Sequence, residues 1–229
     1  MILHVQSCNS YLRMKTLFQE NQLDIFSQPA RIIIAGSSNS GKTQLTSQLA
    51  LKYAEKFDTI IICGVSHHNL QTSPISSRVK VFTDITNPFE YVDDYNKSQG
   101  LLYILDDCFL EASQNKYVVD AFTKGRHSNI SVLFITQNLF FGGKHARNIS
   151  LNASHYILTK NRDRGQVEVL GRQLFGKNKG YEFGEIYKKA LGLRNYGYLM
   201  IDLAPDTPEE IQLRSNIVNE QPFEIVFQW

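Results

Sequence analysis

Short apolar runs rich in Ile, Val and Leu alternate along the chain with segments whose apolar residues recur every three or four positions. Such runs are typical of parallel strands that are buried on both faces. They predict strands at 31–35, 58–63, 79–82, 101–105, 130–135, 155–158 and 198–201. The helical spacing predicts helices at 42–56, 114–124, 163–175 and 182–191, and one from Pro88 to about Lys97. This alternation predicts an α/β fold in which helices cover both faces of a mainly parallel sheet.

The two ends of the chain depart from this pattern. The first residues are polar and irregular up to Pro29, and we expect either a short helix over Tyr11–Glu20 or an arm that packs on a neighbour. After Pro205 the chain is polar apart from the apolar end Phe223–Trp229, so we expect a tail that packs on the core or on a neighbouring subunit. The 229-residue chain is thus predicted to consist of an arm (1–29), one core domain (30–204) and a tail (205–229).

Composition narrows the class of protein. Hydrophobic residues make up 42% and charged residues 20% of the chain, as in soluble globular proteins. No stretch reaches the roughly 18 apolar residues that span a membrane, and the first residues do not resemble a signal peptide. Cys63 and Cys108 fall in or beside predicted strands, so we expect buried thiols, which suits a reducing compartment. The pair His67 and His68 lies in a predicted loop without other candidate ligands, which argues against a zinc site.

The segment Gly36–Thr43 reads Gly-Ser-Ser-Asn-Ser-Gly-Lys-Thr and matches the phosphate-binding P-loop pattern G-x-x-x-x-G-K-[ST]. It follows a predicted strand and opens a predicted helix, as this loop requires. Its glycines let backbone N–H groups face phosphate oxygens, and the helix start adds its positive dipole end. Lys42 then reaches the β- and γ-phosphates of ATP, and the Thr43 hydroxyl ligates Mg²⁺. The predicted nucleotide-binding residues are Gly36, Ser37, Ser38, Asn39, Ser40, Gly41, Lys42 and Thr43. The alternative is a glycine-rich turn that binds nothing.

A pair of acidic residues, Asp106 and Asp107, follows the predicted strand at 101–105. An apolar strand that ends in acids, downstream of a P-loop, is typical of the Walker B element of ATPases. Asp106 is then expected to hold Mg²⁺, and Asp107 to polarise the water that attacks the γ-phosphate. The alternative is an Asp-Asp turn at the end of a strand, with no part in catalysis.

The strand at 130–135 continues into Thr136 and Gln137. If it lies between the P-loop strand and the strand that ends at Asp106, the Gln137 amide ends beside the γ-phosphate, where it senses phosphate and positions water. P-loop kinases normally lack this inserted strand, so the pattern favours hydrolysis coupled to movement over phosphoryl transfer. The alternative is a polar residue that merely ends a strand.

Two arginines are candidates for a residue that acts in the active site of a neighbouring subunit. Arg126 lies just before the strand that leads to Gln137, and Arg147 lies after it. An arginine supplied in trans stabilises transition-state charge and is worth about 10³-fold or more in rate. The alternative for each arginine is a contact with a nucleic-acid phosphate or a surface salt bridge.

Positive charge is concentrated in one stretch of the chain. Residues 124–194 hold 13 Lys and Arg against 4 Asp and Glu, a net charge of +9, whereas the rest of the chain carries −7. The asymmetry suggests a surface for a polyanion, and a solvated basic helix face explains it equally well. The candidate DNA contacts are Lys144, Lys160, Arg162, Arg164, Lys177 and Lys179.

These segments together resemble the genome-packaging ATPases of the FtsK–HerA superfamily, above all the poxvirus-type enzymes and their relatives in Polinton/Maverick elements, adintoviruses and virophages. The resemblance covers roughly residues 30–218. It rests on the segments 36–43, 102–107, 122–127, 130–140, 147–152, 160–163 and 198–208. The run from Phe122 to Phe140 is the most specific of them. Asn129 departs from the family, because FtsK-like motors have a second glycine there, and Asp107 stands where many members have glutamate.

The resemblance implies a RecA-like (ASCE) P-loop NTPase with three α/β/α layers. It implies an ATPase that uses Mg²⁺, forms a homo-oligomeric ring, a pentamer or hexamer, and drives double-stranded DNA into a capsid, with capsid or portal-vertex proteins as partners. By position, it makes Lys42 and Thr43 Walker A residues, Asp106 and Asp107 Walker B residues, and Gln137 the polar sensor. It implies a location inside the host cell, in the cytoplasm, a virus factory or the nucleus, or association with the virion.

Two other functions are compatible with a P-loop. A small nucleoside or nucleotide kinase shares the loop, but the Asp-Asp and Thr-Gln strand ends argue against it. A nucleotide-gated scaffold that docks a capsid or a nuclease binds ATP tightly and hydrolyses it negligibly. Phosphate release, compared with phosphoryl transfer to nucleosides and measured with and without DNA, separates the three.

Overall fold

The computed structural model describes residues 4–5, 13–18, 24–26, 28–65, 67–92, 100–140, 142–218 and 223–229. In these residues one sheet of eleven strands forms the centre of the molecule. The strands are β1 (His4–Val5), β2 (Arg13–Phe18), β3 (Arg31–Ala35), β4 (Phe57–Gly64), β5 (Val79–Phe82), β6 (Gly100–Asp106), β7 (Ile130–Thr136), β8 (His155–Leu158), β9 (Leu199–Asp202), β10 (Leu213–Ser215) and β11 (Phe223–Gln228). Their order across the sheet is β1-β2-β11-β10-β9-β8-β3-β7-β6-β4-β5.

Helices lie between the strands along the chain, as predicted. They are α1 (Lys42–Lys52), α2 (His68–Gln71), α3 (Phe109–Ala112), α4 (Lys116–Lys124), α5 (Ala146–Asn152), α6 (Arg164–Phe175) and α7 (Gly180–Gly192). The first predicted helix is shorter than expected, because α1 ends at Lys52 and a 3-10 turn follows at Ala54–Lys56. The helix predicted from Pro88 is a 3-10 turn, Pro88–Tyr91, and residues 93–97 of that prediction lie outside the described residues.

Six neighbouring strands, β8, β3, β7, β6, β4 and β5, run parallel. They are the apolar runs of the sequence, and residues such as Ile33, Ile104 and Leu133 are fully buried. β7 pairs with β3 on one side and with β6 on the other, so it lies between the two strands as predicted. Because parallel strands end at the same edge of a sheet, the segments after β3, β6 and β7 meet at the carboxyl edge.

The hydrophobic core lies on both faces of this sheet. On one face Ile33 and its neighbours pack against α4 and α7 through residues such as Phe122 and Phe183. On the other face Ile32 and its neighbours pack against α1 through residues such as Leu49. Adjacent residues of a strand point to opposite faces, so β3 contributes to both clusters. The predicted three-layer α/β/α arrangement is confirmed.

Beyond β8 the sheet continues through β9, β10, β11, β2 and β1, each antiparallel to its neighbour. The helix expected over Tyr11–Glu20 is wrong, because Arg13–Phe18 is strand β2 and all six residues pair with β11. This pairing supplies the hydrogen-bond partners that a helix would find within itself, and such tertiary pairing overrides local preference. The described parts of the predicted arm and tail therefore extend the sheet of the core, while the domain boundaries stay a prediction.

Candidate active site

The P-loop joins the end of β3 to the start of α1. Asn39 and Gly41 have positive φ angles of 60° and 88°, and Gly41 is the residue before α1. The N–H of Gly36 donates to a carbonyl at the end of β7 at 3.2 Å, and the N–H of Ser37 donates to Lys160 O, after β8, at 2.8 Å. The loop is therefore anchored to the ends of both strands that flank β3.

Close packing explains why both motif positions are glycine. A Cβ atom at Gly36 would lie 2.0 Å from Thr159 Oγ1, and one at Gly41 would lie 3.1 Å from the ring of Tyr196. The positive φ of Gly41 also disfavours any other residue. On the loop itself, Ser40 Oγ lies 2.6 Å from Thr159 Oγ1. Thr159 thus supports the loop, a role that no sequence pattern predicted.

Lys42 folds back over the loop that precedes it. Its Nζ donates to the carbonyls of Gly36 and Ser37, both at 2.8 Å. Burial lowers the pKa of Lys42, and the negative charges of Asp106 and Asp107 oppose that shift. A partly desolvated cation gains from an anion beside it, so the arrangement suits phosphate oxygens in place of the two carbonyls.

Thr43 and Asp106 meet between the start of α1 and the end of β6. Thr43 Oγ1 donates to Asp106 Oδ2 at 2.8 Å, and Asp106 is only 5% exposed. Hydroxyl and carboxylate oxygens are ligands that Mg²⁺ accepts. The two predicted metal ligands are therefore neighbours, and their role as ligands stays a prediction.

A cavity of about 680 Å³ opens beside these residues at the carboxyl edge of the sheet. Lys42, Thr43, Asp106 and Asp107 all line it. Asp107 is exposed and has a φ of 58°, a left-handed conformation that is uncommon for a residue with a Cβ atom. This turn directs the chain away from β6 and leaves the carboxylate at the wall of the cavity.

Gln137 and Glu111 complete this wall. Gln137 Oε1 accepts a hydrogen bond from Ser38 Oγ at 3.3 Å, so the amide stands over the P-loop, where the position of β7 was predicted to bring it. Glu111 is exposed on α3 and adds a carboxylate to those of Asp106 and Asp107 in the lining of the cavity. No motif pointed to Glu111, and its closeness in sequence to the Asp pair was the only available signal.

A second cavity of about 680 Å³ lies on the other side of the P-loop. Asn39 and Ser40 form its wall toward the loop, and residues of α6, α7 and the segment after α7 form the rest. Tyr196, which is 65% exposed and has a φ of 58°, stands here beside Gly41. The P-loop thus separates a cavity with acidic strand ends from one with an exposed aromatic ring. No pattern in the sequence pointed to Tyr196.

The structure brings neither predicted arginine to the P-loop of its own chain. Arg126 is exposed at the amino end of β7, the opposite edge of the sheet from Gln137, and lines a cavity of about 220 Å³ with Arg31 and His155. Arg147 is exposed near the start of α5. Neither arginine lines the two cavities beside the P-loop. Action in trans therefore stays a prediction for both.

The predicted DNA contacts fall into three groups. Lys160 and Arg164 line the second cavity beside the P-loop. Lys179 is engaged within the chain, because its Nζ lies 2.7 Å from Glu182 Oε2 and 4.8 Å from the ring centre of Trp229. The exposed residues on separate surface segments are Lys144, Arg162 and Lys177. DNA binding stays a prediction for all of them.

Cys63 and Cys108 are buried free thiols, as predicted. Burial raises the pKa of both, to about 12 for Cys108, so neither is a reactive thiolate at neutral pH. The described ranges contain no group of three or more His, Cys, Asp and Glu side chains placed to hold a metal ion. Among the helices that the structure describes, none has the length and apolar character that crossing a membrane requires.

Solved structures of viral packaging enzymes share this fold. The genome-packaging NTPase B204 from Sulfolobus turreted icosahedral virus 2, in complex with ATP-gammaS, is similar over 82% of this chain and 96% of its own, with a TM-score of 0.52 and 16% sequence identity. The structure of the same protein in complex with sulfate is similar over 78% of this chain and 94% of its own, with a TM-score of 0.53 and 17% identity. B204, the DNA-packaging ATPase from Sulfolobus turreted icosahedral virus, is similar over 77% of this chain and 93% of its own, with a TM-score of 0.50 and 16% identity.

These similarities confirm the P-loop NTPase fold that the resemblance to packaging ATPases implied. At such low identity they speak for the fold, and the residues of the site carry the argument about function. No protein-family model matches the chain, and a search of curated proteins found no match.

Proposed function

We propose that this chain is an ATPase whose hydrolysis of ATP drives the packaging of a viral or transposon genome. The observation that carries the proposal is the convergence of Lys42, the Thr43–Asp106 pair and Gln137 on one cavity. β7 lies between β3 and β6, the strand order expected to bring a polar side chain near the γ-phosphate. The shared fold of B204, a DNA-packaging ATPase, supports the assignment to packaging.

ATP binding follows from the P-loop and the cavities beside it. The loop N–H groups and the start of α1 receive the β- and γ-phosphates, and Lys42 exchanges its two carbonyl partners for phosphate oxygens. The nucleoside extends into the second cavity, where the exposed ring of Tyr196 offers an apolar face. B204 was solved in complex with ATP-gammaS and with AMPPCP, which supports a nucleoside triphosphate as the ligand of this fold.

Hydrolysis requires groups that hold a cation and groups that prepare water. Thr43 and Asp106 would hold Mg²⁺, which when bound neutralises charge on the phosphate oxygens. Asp107 and Glu111 are exposed carboxylates that line the same cavity, so either can orient and deprotonate the attacking water. Gln137 fixes the water from the side of β7 and changes partner from Ser38 when a γ-phosphate is bound.

Movement of DNA requires a neighbouring subunit and a phosphate-binding surface. Because Arg126 lies at the opposite edge of the sheet from Gln137, it cannot serve the active site of its own chain, which supports action in trans within a pentameric or hexameric ring. Arg147 is the competing residue. The exposed Lys144, Arg162 and Lys177 are the DNA contacts that fit best, because Lys160 and Arg164 face the second cavity and Lys179 is paired. Capsid or portal-vertex proteins would anchor such a ring inside the host cell or on the virion.

The test is steady-state phosphate release from ATP by the full chain, with and without duplex DNA. We expect Mg²⁺-dependent hydrolysis that DNA stimulates, and a fall of at least about a hundredfold for Lys42→Ala, because a positioned cation at the phosphates is lost. Lys116→Ala is the matched control, since Lys116 is exposed on α4, and its activity should equal that of the wild type.

Each competing function has its own outcome in this assay. Transfer of phosphate to added nucleosides without release would identify a kinase. Tight ATP binding with negligible hydrolysis, even with DNA present, would identify a nucleotide-gated scaffold. Unchanged hydrolysis by Lys42→Ala would contradict the assignment of the site itself.

A further inference from the structure

His67 is a buried histidine beside the candidate active site, just before α2. The residue is 1% exposed. Its Nδ1 lies 3.0 Å from Ser47 Oγ on α1, and its Nε2 lies 3.1 Å from Asp106 Oδ2 at the end of β6. The imidazole ring therefore connects the helix that follows the P-loop with the acidic end of the neighbouring strand.

The partners of His67 limit where its protons lie. An ionised carboxylate only accepts hydrogen bonds, so the Nε2 atom that faces Asp106 must carry a proton. Ser47 Oγ also lies 3.0 Å from Thr43 O, and its single proton points either to that carbonyl or to Nδ1 of the ring. When Ser47 Oγ donates to Nδ1, the single proton of the neutral ring lies on Nε2, and His67 offers that proton to Asp106.

Thr43 already donates a hydrogen bond to the oxygen that His67 faces. Thr43 Oγ1 lies 2.8 Å from Asp106 Oδ2. Nε2 of His67 lies close to the same oxygen but off the direction of a hydrogen bond, and it has no other partner among the described residues. A buried donor left without a hydrogen bond is unfavourable, so a small rotation of the carboxylate toward His67 is favourable once Thr43 withdraws.

We propose that His67 is a positioning residue that orients the Asp106 carboxylate toward a divalent cation. This inference rests on the proposed function, in which Thr43 and Asp106 would hold the cation that accompanies ATP, and a Thr43 hydroxyl that faced this cation would no longer donate to Asp106. Asp106 Oδ2 then loses the hydrogen bond it now accepts, and Nε2–H of His67 is the donor beside it. The removal of such an outer donor typically lowers metal affinity about 10–100-fold.

The experiment measures binding rather than turnover. Full-length wild type, His67→Leu, His67→Gln and His68→Leu are titrated with MgCl₂ in the presence of a fluorescent, non-hydrolysable ATP analogue. We expect His67→Leu to need about 10–100-fold more Mg²⁺ for half-maximal binding, with unchanged analogue binding in EDTA. His67→Gln keeps an N–H within reach of Asp106 and should recover most of the loss. His68 is exposed, so His68→Leu should match the wild type.

The outcomes separate this inference from the proposed function. If the wild type binds the analogue without any dependence on Mg²⁺, the inference about His67 is overturned, whereas the proposed function is contradicted only if the wild type releases no phosphate from ATP. If the wild type depends on Mg²⁺ and His67→Leu has the same requirement, only the inference about His67 is overturned. Should His67→Leu fail to fold, Ser47→Ala replaces it, because it removes the partner of Nδ1. A rise of several-fold in the Mg²⁺ requirement supports the inference, and an unchanged requirement overturns it.

Discussion

The parallel and antiparallel halves of the sheet both bury charged side chains, and they treat these charges differently. In the parallel half, Lys42 and Asp106 stand at the carboxyl edge of the sheet and line an open cavity. In the antiparallel half, Arg214, Asp202 and Glu224 lie on neighbouring strands, are at most 2% exposed and pair with one another. The first set is available to a ligand, whereas the second set is paired within the fold and lines neither of the two cavities beside the P-loop.

Arg214 on β10 holds this closed network together. Its Nη1 donates to Glu224 Oε2 at 3.0 Å, its Nη2 donates to Asp202 Oδ2, and His155 Nε2 lies 3.2 Å from Asp202 Oδ1. Burial alone would raise the pKa of Asp202, but the contact with His155 and the charge of Arg214 outweigh burial and lower it. For Glu224 the effect of burial is larger than the effect of the Arg214 charge, so the pKa of Glu224 is raised. The two carboxylates are therefore compensated unequally, because Asp202 has His155 beside it in addition to Arg214.

Strand direction explains why one set is open and the other closed. Parallel strands are joined by crossovers, so loops and helix starts gather at their carboxyl edge and leave a crevice there. Antiparallel neighbours such as β10 and β11 pair along their length. Side chains on these strands, such as Arg214 and Glu224, project from a face of the sheet and are fully buried there. The candidate active site thus lies where parallel strands end, whereas the closed charges lie along paired antiparallel strands.

The largest expected effect is on stability, from Arg214→Met. The change leaves Asp202 and Glu224 buried without their cation, and breaking a buried ion pair in this way costs about 3–5 kcal/mol. Urea unfolding should show this loss, while the ATPase rate per folded molecule stays near that of the wild type. Arg172→Met is the control, because Arg172 is 43% exposed in a loose helix pair with Glu168, and it should cost under about 1 kcal/mol. Equal losses in the free energy of unfolding for the two variants would show that the buried Arg214 network stabilises the fold no more than an exposed ion pair does.

Much of the parallel half could be predicted from the sequence, because its information is local. Residues of Gly36–Thr43 form one loop between a strand and a helix, and the apolar runs that end in Asp106 and Gln137 are buried parallel strands. Parallel strands share a carboxyl edge, so the motif residues had to meet there. The position of β7 between β3 and β6 was a condition of that reasoning and is confirmed.

The remaining features depend on contacts between distant segments, which local patterns do not encode. His67 lies in a predicted loop and gains its place from Ser47 and Asp106, which belong to other elements. Tyr196, in the segment after α7, lies beside Gly41, which belongs to a loop far away in the sequence. The strand Arg13–Phe18 forms because β11, from the other end of the chain, supplies its partner.

The second expected effect is on activity, from Asp106→Asn. The amide keeps the size of the side chain and an oxygen that accepts from Thr43, but it removes the charge that holds a cation. We expect Mg²⁺-dependent ATP hydrolysis to fall at least about a hundredfold, and the free energy of unfolding to change by less than about 1 kcal/mol. Asp120→Asn, at a partly exposed helix pair with Lys124, serves as the control for both measurements. A loss of stability comparable to that of Arg214→Met would show that the charge of Asp106 stabilises the fold, as the buried Arg214 network does.

The smallest expected effect comes from Glu224→Gln, which removes one carboxylate of the closed network and keeps an oxygen for Arg214. Because burial raises the pKa of Glu224 above its ordinary 4.5, the folded state binds a proton there more readily than the unfolded state. The stability that Glu224 contributes is therefore present below its ordinary pKa and is lost as pH rises through the raised value. The variant lacks this loss, so its free energy of unfolding should gain on that of the wild type as pH rises above 4.5 and through the raised pKa of Glu224. Urea unfolding across this range measures the gain, and a difference that is constant with pH would contradict the unequal compensation of the two carboxylates.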